Sequence, residues 1–252
     1  MLYFVGLGLK PRHLTLEAES ALRDSSKIYV EAYTSLYSEG TLEDLKKKLN
    51  KDVEIEILYR NEVEQFTKII EDAKTKNVSL AIFGNITSAT THSALIKDCV
   101  NNNIDYKLIP GISIFSVISM LTGLQEYRFG RTVSIVKPEE NYSPTSFFKW
   151  IEENRNRDLH TICLLDIKID KGKKYLMQPF EAANRLIEIN PKCKDWNCIV
   201  VSGATAKDQI IVKSTLGRLQ KFITDYEFPS TIVITGNLQM DEEEYLKSLE
   251  SY

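Results

Sequence analysis

From Leu2 to Leu121 the chain alternates, four or five times over, between short apolar runs and stretches of helical spacing. That rhythm constrains the fold more than any other feature. Leu2 to Leu7, Lys27 to Ala32, Val53 to Leu58, Leu80 to Phe83 and Tyr106 to Ile109 read as strands. Between them, Thr15 opens a helix with Leu16, Ala18, Ala21 and Leu22 facing inward, and Thr41 caps a helix through Leu49. Val63, Phe66, Ile69, Ile70 and Ala73 share a helical stripe, as do Ala94, Leu95 and Cys99. Ser113 caps Ile114 to Leu121, a helix apolar on nearly every side and therefore expected to be buried. Strand and helix in strict alternation predict a parallel sheet with helices on its faces.

The stretch Ser79 to His92 places chemistry on that scaffold. A buried strand ends at Gly84, small polar residues Asn85 to Ala89 turn the chain, and a helical pattern starts at Thr90. Ligands of open α/β sheets sit beyond the carboxyl ends of the strands, and free N–H groups at a helix start hold anionic groups. The competing reading is that Thr90 and Thr91 only cap a helix. The loops Gly84 to Ala89 and Pro110 to Ser113 are expected side by side at the carboxyl edge. Gly6-Leu7-Gly8 resembles the start of a dinucleotide fingerprint, but the third glycine position is Pro11 and the later acidic residue is missing. Glycine there still allows a close backbone approach to a ligand.

Thr122 to Gly130 is rich in turn residues and divides the chain into expected α/β domains 1–125 and 126–252. Beyond it, Thr132 to Val136, Thr161 to Ile167, Ile199 to Ser202, Ile210 to Val212 and Thr231 to Thr235 read as strands. Ser143-Pro144 starts a helix with Pro144 at its first position, Phe180 to Ile189 is amphipathic, and Leu216 to Ile223 is helical. Glu242 to Leu249 reads as a solvated final helix.

Hydrophobic residues at 43%, charged residues at 27% and a net charge of -3 describe an ordinary globular chain. The basic clusters Lys46 to Lys48 and Lys171 to Lys174 lie beside acidic residues, so no nucleic-acid partner is expected. Cys99, Cys163, Cys193 and Cys198 form no zinc pattern, and no metal site is expected. The start Met1-Leu-Tyr-Phe-Val-Gly6 lacks a basic leader, and no apolar run reaches membrane-spanning length. These features predict a reduced, cytoplasmic protein without a membrane association.

Several stretches, in order along nearly the whole chain, resemble the diphthine synthases, tetrapyrrole-methylase-like (class III) S-adenosylmethionine methyltransferases. They are Leu2-Tyr-Phe-Val-Gly-Leu-Gly-Leu9, Glu31-Ala-Tyr-Thr-Ser-Leu36, Ala89-Thr-Thr-His92, Pro110-Gly-Ile-Ser-Ile114, Thr122-Gly-Leu-Gln125 with Phe129-Gly130, Pro138-Glu-Glu-Asn-Tyr142 with Pro144-Thr-Ser146, and His160-Thr161 with Leu164-Leu-Asp-Ile-Lys168. The resemblance implies two α/β domains with the cofactor S-adenosylmethionine in the cleft between them, and a homodimer. It implies methylation of the amino group of a 3-amino-3-carboxypropyl-histidine in translation elongation factor 2, on the route to diphthamide. Cofactor contacts in the family fall on positions matched by Leu9, Ser113, Ile114 and Leu165, with Ala204 and Ile232 in the same pocket.

The chain departs from that family at the site. Asn85 stands where relatives carry an Asp in Gly-Asp-Pro, Ser88 replaces an aliphatic residue, Ser202-Gly203 replaces Ala-Arg, and Thr231 replaces a His. Asn85, Ser88 and Thr231 are retained as cofactor-site candidates. Methyl transfer from a sulfonium needs chiefly in-line placement of a deprotonated amine, so no catalytic residue is assigned. His92 reads either as a general base or as a residue packed at a helix start, and Asp166 either as a cleft residue or as a buried hydrogen-bonding one. Tyr33, Thr34 and Ser35 either line the acceptor entrance or end a strand, and His160 reads as structural. Two other functions fit the same features: a methyltransferase for another acceptor, or a non-catalytic homologue that binds elongation factor 2.

Overall fold

A computed structural model describes residues 1–59, 67–87, 92–140, 142–170, 173–221 and 228–249. It divides the chain into two compact units, Met1–Ile114 with Lys168–Lys174, and Phe115–Ile167 with Tyr175–Tyr252.

The first unit is built on strands β1 (Leu2–Gly6), β2 (Lys27–Glu31), β3 (Glu54–Leu58), β4 (Val78–Ile82) and β5 (Tyr106–Ile109). They form one sheet in the order β3-β2-β4-β1-β5, every pair parallel. Helices α1 (Leu16–Asp24), α2 (Leu42–Leu49), α3 (Thr67–Thr75) and α4 (Ser93–Asn101) connect them. The inner strands β2 and β4 are buried at every position. Side chains of β1 alternate between two cores: Leu2 and Phe4 pack with Ile69, Leu80 and Leu95, whereas Val5 pairs with Ala18, Leu22 and Leu45. A parallel sheet covered on both faces accounts for the continuous apolar runs of the sequence. Thr15 accepts a hydrogen bond from Ala18 N (3.1 Å) as N-cap of α1, and Thr41 with Asp44 forms a capping box on α2.

The second unit holds β6 (Val133–Ile135), β7 (Thr161–Leu165), β10 (Asn197–Ser202), β11 (Ile210–Thr215) and β12 (Ser230–Ile234) in the order β11-β10-β12-β7-β6. Only β6 and β7 run parallel; the other pairs are antiparallel. Strands β8 (Ile167–Asp170) and β9 (Lys173–Leu176) make a separate two-stranded sheet. Helices α5 (Ile114–Thr122), α6 (Ser146–Asn156), α7 (Pro179–Ile189), α8 (Leu216–Leu219) and α9 (Met240–Leu249) complete the described elements. Its core gathers Ile135, Phe148, Ile151, Cys163, Leu186, Val200 and Ile232.

Several expectations need correction. Leu16 is 88% exposed, because it lies two residues, about 200°, around α1 from Ala18, while Ala18, Ala21 and Leu22 form the buried stripe. Ala94 is exposed for the same reason, one residue away from buried Leu95. Helix α5 buries only Val117, Ile118 and Thr122; Met120 on its other face is 61% exposed. Pro144 precedes α6, whose N-cap is Thr145, and Arg185 holds that entry by bonding Ser143 Oγ (2.7 Å) and Pro144 O (3.4 Å). Val63, Phe66, Ser88, Ala89, Thr90 and Thr91, with the loop and capping roles read for them, lie outside the described residues.

The final helix is not simply solvated. Glu242 is fully buried and Leu246 nearly so. Glu242 Oε1 accepts from Gln125 N (3.1 Å) and from His160 Nε2 (3.1 Å), and its Oε2 accepts from Gln239 N (2.9 Å) and Arg128 Nη1. Gly236 N donates to His160 Nδ1 (3.2 Å), so the imidazole carries its proton on Nε2 and is neutral. Burial holds the His160 pKa below its ordinary value. Burial alone would raise Glu242, but the Gln239 and Gln125 N–H groups and His160 outweigh it and hold the carboxyl below the usual range. The structural reading of His160 is thereby given a concrete role.

Candidate cofactor-binding loops

In the first unit β4, β1 and β5 are neighbours, so the loops that leave their carboxyl ends emerge together. The contact between these loops is close. Gly8 and Gly84 exchange two hydrogen bonds (N–O distances 3.0 and 2.9 Å) in an antiparallel bridge beyond the parallel strands. A Cβ on Gly111 would lie 2.2 Å from Gly84 O and 2.6 Å from Gly6 C, and one on Gly6 would lie 2.4 Å from Gly111 N. Only glycine lets these backbones meet. A Cβ on Gly84 (φ +78°) would meet nothing within 4 Å among the described residues, so a ligand has room to approach the main chain there.

Asn85 ties the β4 loop to the β5 loop: its Oδ1 accepts from Gly111 N at 3.1 Å. The donor is a peptide N–H, so the oxygen of the amide must face it. Leu9 is 8% exposed, and its carbonyl accepts both Ser38 N (2.8 Å) and Ser38 Oγ (2.9 Å) from the loop after β2. Ser113 and Ile114, both half-buried, follow Gly111 into α5. The structure therefore brings Leu9, Asn85, Ser113 and Ile114 to one edge of the first sheet. Ser88 is outside the described residues.

His92 stands beneath that edge as N-cap of α4. It is 2% exposed and its Nε2 lies 2.6 Å from Oε2 of Glu31, itself 1% exposed at the end of β2. The pair meets without the in-line geometry of a hydrogen bond. Thr34 Oγ1 donates to the other Glu31 oxygen. A side chain this buried packs the loops rather than reaching a protein substrate, which favours the packing reading of His92. Its partner Glu31 was not singled out by sequence reading, although it opens the quoted Glu31 to Leu36 stretch.

The second unit gathers a separate set. Leu165 ends β7, Ala204 follows β10, and Thr231 and Ile232 begin β12. Since β12 runs antiparallel to both neighbours, with Thr231 opposite Leu164 and Val201, these residues fall at one end of the sheet. The side chains of Leu165 and Ile232 belong to the hydrophobic core, so they shape the floor of this edge, and Ala204 and Thr231 are also buried. The turn after β10 departs from ordinary backbone: Gly203 has φ +60° and Thr205 φ +68°. Gln209 Oε1 accepts from Thr205 N at 3.0 Å and holds that turn. A Cβ on Gly203 would sit 3.0 Å from the Phe228 ring, so glycine here makes room for the aromatic.

Asp166, half-buried, accepts from Lys137 N at 3.0 Å through Oδ2, and its carbonyl accepts from Met177 N at 2.9 Å. The cysteines are all buried, and burial raises the thiol pKa values of Cys99 and Cys193 to about 11 and of Cys198 to about 12. Among the described residues no group of three His, Cys, Asp or Glu side chains is placed to hold a metal, and no helix is long and apolar enough to cross a membrane.

Comparison with known proteins agrees with this architecture. The family model of the Tetrapyrrole (Corrin/Porphyrin) Methylases matches residues 1–220. The chain is 36% identical over 256 residues to a diphthine synthase of Staphylothermus marinus, covering 99% of this chain and 94% of that protein. It is 36% identical over 260 residues to a diphthine synthase of Methanocaldococcus jannaschii, covering 99% and 98%. A crystal structure of diphthine synthase superposes with a TM-score of 0.87 at 28% identity, over 98% of this chain and 94% of the other. With its sheets, its loops and nearly its whole length so matched, the chain belongs to the diphthine synthases within the tetrapyrrole methylase family.

Proposed function

We propose that this protein is an S-adenosylmethionine-dependent methyltransferase of diphthamide biosynthesis. Its acceptor is the amino group of the 3-amino-3-carboxypropyl side chain carried by a histidine of translation elongation factor 2. The observation that carries this reading is the likeness to diphthine synthases across 99% of the chain.

The residues present fit the cofactor. The uncovered backbone at Gly84 and the half-buried amide of Asn85 suit its polar end, and Leu9, Ile114 and Leu165 give apolar surface for its adenine. We assign Leu9, Asn85, Ser88, Ser113, Ile114, Leu165, Ala204, Thr231 and Ile232 as its contacts. S-adenosylmethionine supplies a methyl group already activated on a sulfonium. The chain's own residues orient the acceptor so that a neutral amine lone pair lies in line with the transferred group. Asn85 keeps the β4 loop on Gly111 while this happens, a task that needs only a carbonyl oxygen. The reading extends to a cytoplasmic homodimer, for which exposed Met120, Tyr127 and Met240 offer apolar surface.

Isothermal titration with S-adenosylmethionine and S-adenosylhomocysteine tests the proposal. Micromolar binding, about −8 kcal/mol, followed by methylation of elongation factor 2 carrying the modified histidine, is the expected result. Folded protein that binds neither compound overturns it.

A further inference from the structure

The acceptor named above carries a carboxylate beside its reacting amine, and a site that selects it needs a cation for that group. This inference rests on the proposed function. One ammonium in the second unit is already placed for the task. Strands β6 and β7 run parallel with Ile135 opposite Leu165, so the residues just after them leave the same sheet edge. Lys137 is two positions beyond Ile135, and its N–H donates to Asp166, the residue after Leu165. Its main chain is thus fixed beside a proposed cofactor contact.

The Lys137 side chain is held as well. Nζ lies 4.2 Å from the centroid of the Tyr175 ring. The Tyr175 hydroxyl donates to Glu181 Oε1 (3.1 Å), and Gln178 N donates to Glu181 Oε2 (2.7 Å). The carboxylates of this corner, Asp166 and Glu181, are engaged by those N–H and O–H donors. Lys137 is exposed, and no carboxylate of the described residues lies within ion-pair distance of Nζ. An aromatic face orients an ammonium without neutralising it. The charge stays available to an incoming anion.

We propose that Lys137 binds the carboxylate of the 3-amino-3-carboxypropyl group, and that Tyr175 is the positioning residue that holds its ammonium. A contact made equally in the ground and transition states raises KM when lost and leaves kcat unchanged. Loss of one charge-assisted hydrogen bond corresponds to about tenfold or more in affinity.

The test compares wild type, Lys137→Gln, Lys137→Arg and Tyr175→Leu. Each is measured for S-adenosylhomocysteine affinity, for methyl transfer, and for affinity toward elongation factor 2 with and without the modified histidine. Lys137→Gln is expected to raise KM about tenfold with kcat within twofold, to leave the S-adenosylhomocysteine Kd unchanged, and to erase most of the preference for modified over unmodified factor. Lys137→Arg retains that preference, and Tyr175→Leu weakens it by a smaller factor. Wild-type kinetics and preference in Lys137→Gln overturn the proposal while the methyltransferase reading stands. Wild-type protein that neither binds S-adenosylhomocysteine nor methylates overturns both.

Discussion

Asn85 is the residue where charge and geometry come apart. The family resemblance places an aspartate at this position, yet the contact that joins the β4 and β5 loops uses one oxygen accepting a peptide N–H. Asn85→Asp keeps an oxygen in place and is expected to hold S-adenosylhomocysteine within about threefold of wild type, whereas Asn85→Ala loosens both loops and weakens it by about tenfold, the scale of one hydrogen bond. Titration calorimetry on the two variants separates the tether from the charge. Gly111 sits at the other end of that bond. Its missing side chain is filled by main-chain atoms of Gly6 and Gly84, which cannot rotate away. Gly111→Ala is therefore expected to cost about 3 kcal/mol, seen as a lower midpoint in denaturant. Asn85 and these glycines could be picked from the sequence as turn residues. Their mutual contact could not, because Gly6, Gly84 and Gly111 are brought together only by the strand order β4-β1-β5.

The elements were legible in proportion to how local their causes are. Thr41 with Asp44 three residues on announces the start of α2, and the apolar runs announce the inner parallel strands. Helix α9 was misread because Asp241-Glu-Glu-Glu244 looks solvated, and the partners that draw Glu242 inward, Arg128 and His160, lie far away in sequence. Glu242→Gln leaves the Arg128 cation, 8% exposed, without its buried counter-charge. A loss of about 3 kcal/mol is expected, measured by thermal or denaturant unfolding. The same cluster sets an acid response. His160 has a lowered pKa in the folded state, so below its ordinary value of 6.5 the unfolded chain takes up a proton that the native imidazole refuses. Stability therefore falls as pH drops below about 6.5. The lowered Glu242 pKa adds stability above 4.5 that is lost as pH falls through the folded value. His160→Gln should flatten the upper part of that decline in a series of melts from neutral to mildly acidic pH.

At the scale of the whole molecule, the two units follow different construction rules. The first is an all-parallel sheet with a core on each face, which repeated alternation in sequence foretold; the second is a mixed sheet whose order, β11-β10-β12-β7-β6, no local pattern encodes. The candidate site divides along the same line. Its first-unit members follow glycines and strand ends and are readable, whereas Lys137 and Tyr175 meet through chain folding alone. Ligand binding acts on the molecule as one equilibrium: S-adenosylhomocysteine at a hundredfold excess over its Kd is expected to stabilise the native state by about 2.7 kcal/mol, visible as an upward shift of the unfolding midpoint. The doubly bonded bridge between Gly8 and Gly84 has a further consequence. It continues the sheet's hydrogen-bond ladder past its last strand residues, so this part of the loop mouth is rigid before any ligand arrives. Little ordering entropy remains to oppose association there, and binding at this edge proceeds as capture by a surface already shaped for it.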